Sequence, residues 1–135
     1  MISARTSLRI SAVLLLALAL SAFAAPASDF TGSYTLGAAA TAGKDVQLTI
    51  TLTVANNTSS SIGNATISLH EPQAGRVIYG QLAGLSLVAG SSTHVSGSFR
   101  VPQGLYASWQ KGSSPAMSVT YNDAQGNPVQ TFIQF

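Results

Sequence analysis

The chain has 135 residues, 46% of them hydrophobic and only 7% charged, and it contains no cysteine. That absence excludes disulfides, thiolate metal ligands, thiol nucleophiles and a lipid-bearing cysteine anchor. The formal net charge of +2 traces to Arg5 and Arg9. Beyond them the acids Asp29, Asp45, Glu71 and Asp123 balance the bases Lys44, Arg76, Arg100 and Lys111, so the sequence offers no positive excess on which binding to nucleic acid or an anionic membrane could rest.

Arg5 and Arg9 form a basic leader, and Ile10 to Leu20 is an apolar run too short to span a bilayer. Ala22-Phe23-Ala24 then places small residues where a signal peptidase requires them. The pattern predicts a signal peptide over residues 1–24, cleaved after Ala24. Cleavage after Ala25 would set Pro26 against the scissile bond, and Ala27 is the fallback. The implied location is secreted or periplasmic, with no membrane insertion after cleavage; an uncleaved anchor is the alternative. Residues 25–135 suffice for one domain with its own core.

Residues 25–44 are small, polar and glycine-rich, and read as a flexible segment with one candidate strand, Phe30 to Leu36. Ala38 to Ala40, bracketed by Gly37 and Gly43, reads as a loop. The clearest signal follows. Val46, Leu48, Ile50, Leu52 and Val54 alternate with Gln47, Thr49, Thr51 and Thr53, which places all the apolar residues on one face of a strand and excludes a helix. Asn56 to Asn64 is turn chemistry, and Ala65 to His70 is the next strand, with Ala65, Ile67 and Leu69 facing inward. Arg76 to Leu82 and Leu85 to Val88 are extended, separated by Gly84. Val95, Gly97, Phe99 and Val101 alternate with His94, Ser96, Ser98 and Arg100 until Pro102 ends the strand. Gln103 to Pro115 reads as irregular, with no convincing helix in the chain. Met117, Val119 and Tyr121 form another period-two set, Asn122 to Pro128 a hairpin connection, and Val129, Thr131, Ile133 and Phe135 a final strand.

The expected fold class is all-β: an antiparallel β-sandwich of about seven strands over residues 45–135, with a closed barrel as the alternative. Three stretches resemble the Ig-like modules of bacterial secreted proteins, both the CARDB type and those appended to secreted glycosidases. They are Val46 to Asn57, a long threonine-rich strand ending in Asn; Leu85 to Pro102, an apolar step, an Ala-Gly turn and a strand ending in Val-Pro; and Val119 to Gly126, a penultimate strand and hairpin. The resemblance implies an Ig-like fold, secretion and a bacterial source, in which Asn56, Asn57 and Asn64 are turn residues rather than glycosylated ones. It brings no catalytic residues. Such modules usually sit in long multidomain chains.

Chemistry for catalysis is sparse. His70 and Glu71 are strand neighbours, so their side chains point to opposite faces and form no direct dyad. His94 lies on an outward face beside Ser92 and Thr93 and reads as a solvated residue. Asp45 precedes a strand and Asp123 sits in a turn, ordinary structural places for aspartate, and no carboxylate pair for glycoside hydrolysis stands out. His70, His94, Glu71 and Met117 lack metal-ligand spacing. These readings predict a non-enzymatic module with no cofactor and no metal.

Tyr106 and Trp109 are the pair from which binding is expected. Aromatic residues on a loop stack on sugar rings or anchor protein partners, and Gln110 and Lys111 are near enough to add hydrogen bonds. For Trp109 itself the favoured reading is a core residue that plugs the open end of the sandwich. The expected function is therefore an Ig-like module mediating protein–protein interaction or surface assembly through a strand edge or loops. The alternative is a carbohydrate-binding module using Tyr106, Trp109 and Lys111.

Overall fold

The computed structural model describes residues 28–72 and 77–135. The signal peptide expected over residues 1–24, and Arg76, lie outside the described residues. The strands are β1 (Phe30–Ala42), β2 (Asp45–Asn56), β3 (Ile62–His70), β4 (Ile78–Leu87), β5 (Ser92–Pro102), β6 (Ala116–Asn122) and β7 (Pro128–Phe132), with a helix, α1 (Gln103–Gln110), between β5 and β6. They form two antiparallel sheets that pack as a sandwich: a three-stranded sheet ordered β1-β2-β5 and a four-stranded sheet ordered β4-β3-β6-β7.

The alternation in β2 does what its period requires. Val46, Leu48, Ile50, Leu52 and Val54 are each 7% exposed or less. Against them, in one cluster, lie Ile67 and Leu69 of β3, Met117 and Val119 of β6, and Phe99 and Val101 of β5. Each fully buried aliphatic side chain contributes roughly 1.5–3 kcal/mol, so in a chain without disulfides this layer is the main source of stability. β2 pairs with β5 without a register break from Asp45↔Pro102 to Ala55↔Ser92, a straight ladder on which the rest is mounted.

Four expectations need correction. β1 does not stop at Leu36: it runs on to Ala42, because Ala39 to Ala42 pair with Leu48 to Asp45 after a bulge at Gly37-Ala38. Backbone pairing outweighs the weak strand propensity of alanine there. The segments on either side of Gly84 are one strand, with the register shift between Ala65↔Leu85 and Ile67↔Leu82 absorbing the extra residue. The stretch after Pro102 is not irregular but opens with α1. Finally, β7 ends at Phe132, and the tail leaves its sheet: Gln134 accepts from the Gly32 N–H at 3.1 Å and donates to the Phe30 carbonyl at 3.0 Å, a parallel bridge to β1. That bridge ties the two sheets together at one edge without closing them into a barrel.

Candidate functional site

The expected binding residues sit on or beside α1, at the Asp45 end of β2, where the Gln103 N–H donates to the Lys44 carbonyl. Pro102 cannot continue the β5 ladder and begins the helix. Gly112, at φ +112°, ends it: the Ser113 N–H donates to the Ser108 carbonyl and the Gly112 N–H to that of Trp109, a Schellman closure. Leu105 and Trp109, four residues apart, turn the same face to the core. Trp109 is 4% exposed and belongs to the core cluster, so neither face of its indole is open for stacking. Tyr106 is half-buried against the same cluster, and Lys111 is exposed at the helix C-cap. Helical packing thus commits Trp109 and much of Tyr106 to the core instead of presenting the three as an open platform.

A second grouping lies on the outer face of the four-stranded sheet. Ile67, Leu69, Met117 and Val119 point inward, so Ser68, His70 and Ser118 point away from the core, yet they are 3%, 2% and 0% exposed. Neighbouring strands cover them. His70 Nε2 lies 2.6 Å from Ser118 Oγ, Gln130 Nε2 donates to the same oxygen at 3.3 Å, and Gln81 Nε2 donates to Ser68 Oγ at 3.1 Å. The Phe132 ring leans over His70 with a centroid separation of 5.2 Å. Ile78 is the cross-strand partner of His70, and both Ile78 (47%) and Phe132 (50%) stay half exposed. Among the paired outward positions of this sheet none carries a formal charge. A serine beside a histidine suggests a nucleophile and its base, but Ser118 has no exposed surface through which a substrate could reach it. Among the described residues no group of three metal-ligating side chains occurs.

The third feature is a groove of about 400 Å³ at the Asn56 end of β2, between the β2–β3 loop and the β6–β7 hairpin. Thr58, Ser60 and Ser61 line one wall, and Tyr121, Asn122 and Asp123 the other. Both walls are braced. Asn56, 1% exposed, donates to the carbonyls of Ser60 at 3.0 Å and Leu87 at 2.9 Å, and its Oδ1 accepts from the N–H and hydroxyl of Thr58. Asp123 Oδ1 accepts from the N–H groups of Gln125 at 3.0 Å and Asn127 at 2.8 Å. Tyr121 stands edge-on to the buried Phe30 ring, centroids 6.1 Å apart. The asparagine-rich turn was legible in the sequence as turn chemistry. The pairing of that turn with the distant hairpin was not, because it depends on β3 and β6 being neighbours.

His94 is exposed, as its outward position predicts, and its Nδ1 lies 2.9 Å from the Thr53 hydroxyl. Among the described residues no helix is long and apolar enough to cross a membrane. No family model matches this chain, and no curated protein matches it either.

Proposed function

We propose that the protein is an exported, non-enzymatic Ig-like module that engages another protein through the outer face of its four-stranded sheet. The observation that carries this reading is the pair Ile78 and Phe132, half exposed on a face whose paired outward positions, among the described residues, carry no formal charge, and set around the covered His70 and Ser118. Water gains nothing from apolar side chains held at a rigid surface, whereas a partner that covers them removes that area from solvent. The strand order supports the Ig-like part of the reading. An Ig constant-type sandwich has its first, second, fifth and fourth strands in one sheet; here the first, second and fifth stay together and the fourth joins the opposite sheet. Export rests on the basic leader, the apolar run and Ala22-Phe23-Ala24. The carbohydrate reading based on Tyr106 and Trp109 is weakened by the burial of the indole.

The test places a photo-crosslinking amino acid at Phe132 or, on the opposite sheet, at Thr51, in the native host. A discrete protein adduct from position 132 and none from position 51 is the expected result. No adduct from either position, or equal adducts from both, overturns the proposal.

A further inference from the structure

We infer that the groove between the β2–β3 loop and the β6–β7 hairpin is a binding site for a neutral saccharide, at the end of the sandwich opposite α1, which carries the aromatic pair singled out from the sequence. Its volume of about 400 Å³ lies in the range of small-molecule sites and suits one or two sugar rings. The chemistry of the lining narrows the class. Ser60 and Ser61 offer hydroxyls that can donate, Thr58 a hydroxyl whose proton is held by Asn56 and which is left to accept, Asn122 an amide, and Asp123 a carboxylate. Sugar hydroxyls ask for this mixture, each being donor and acceptor at once.

Three other ligand classes fit less well. No lysine, arginine or histidine lines the groove, which disfavours phosphorylated and carboxylate ligands. A single carboxylate without a second acidic neighbour is too little for a hard cation. A long apolar ligand would meet Ile62 and Ala124 but would also cover the polar groups of Thr58, Ser60, Ser61, Asn122 and Asp123 without pairing them; Tyr121 is the one ring in the lining. That ring supplies what a sugar does need besides hydrogen bonds, a flat surface for its C–H face.

The walls are also prepared in advance. Asn56 holds the Thr58–Ser60 side through hydrogen bonds from both ends of its amide, and Asp123 Oδ1 is committed to its own turn. Asp123 Oδ2 makes no hydrogen bond among the described residues. A rigid site gives up little entropy on binding, which matters most for small polar ligands whose individual hydrogen bonds contribute little net energy.

The experiment titrates isotope-labelled mature protein with glucose, galactose, mannose and N-acetylglucosamine, and with disaccharides of each in both anomeric linkages, following backbone amide shifts. The expected result is saturable shifting confined to residues 58–63 and 121–124 for at least one probe. Asp123→Asn keeps an oxygen for the turn N–H groups while removing the charge, and it weakens that binding at least tenfold. Phe132→Ser and Tyr106→Ala, both away from the groove, leave it unchanged, so the result is independent of the protein-partner reading. The inference is overturned if no probe shifts those amides, if the shifts centre on α1, or if Asp123→Asn binds as the parent does.

Discussion

The two sheets present outer faces built from the same polar alphabet in opposite physical states. On the three-stranded sheet Thr49, Thr51, Ser96 and Ser98 are exposed, and Thr51 and Ser96 sit opposite each other with their hydroxyls 3.4 Å apart. On the four-stranded sheet Ser68 and Ser118 occupy equivalent outward positions, also as cross-strand partners, and are 3% and 0% exposed. The difference lies in the neighbours. β4 and β7 flank the second pair with Gln81, Gln130 and Phe132, side chains tall enough to fold over a serine. On the first sheet β1 offers Ser33 and Thr35, which are no taller than what they would cover. Period two therefore tells which side of a strand faces away from the core, but the side chains one strand over decide whether that side is wet.

The sharpest way to break this contrast is to put the same charge on both faces. Ser118→Lys buries an ammonium without a partner and costs about 3 kcal/mol or more. Ser96→Lys leaves its charge in water and changes stability by no more than about 0.5 kcal/mol. Urea midpoints of the two variants measure the gap, and equal midpoints would mean that the covered face is open in solution. A smaller version compares the histidines. His70→Ala removes a packed ring and a hydrogen bond from a buried hydroxyl, for a loss of about 2 kcal/mol. His94→Ala returns the Thr53 hydroxyl to solvent and stays within about 0.5 kcal/mol.

The same lesson marks how far the sequence could be read. The β2 alternation matched its burial residue by residue because local period sets its inward face and only short side chains, Ser33, Thr35, Ser96 and Ser98, stand beside its outward one. The burial of His70 did not show, since it depends on Gln130 and Phe132, which reach it only once β3, β6 and β7 lie side by side. The helix was legible and missed: Pro102 as a strand stop, Leu105 and Trp109 at helical spacing, and Lys111-Gly112 as a terminator are all local signals. Reading Gln103–Pro115 as irregular left Trp109 with two readings, a ligand platform and a plug for the open end of the sandwich, and its 4% exposure agrees with the plug. The loop groove had no local signal, because its walls are more than fifty residues apart in the chain and meet only through sheet topology.

The smallest effect probes whether the hydroxyl face is as wet as its exposure says. Arg100 Nε lies 3.1 Å from Asp45 Oδ2, with the side chains 60% and 39% exposed, and Arg100 Nη2 donates to the Ala42 carbonyl at 3.1 Å. Among the described residues this is the ion pair of the molecule, and it sits at the edge of the threonine and serine array, where β5 and the β1–β2 turn meet. Exposed pairs of this kind couple by about 0.2–1 kcal/mol, since water screens the attraction and two side chains lose freedom to make it. A double-mutant cycle with Arg100→Met and Asp45→Asn should return about 0.5 kcal/mol at low ionic strength. Most of that should vanish near 1 M salt, where the screening length falls to roughly 3 Å. A coupling above about 2 kcal/mol that salt leaves untouched requires a desolvated pair. Both sheets would then be covered, and the contrast between their outer faces would be lost.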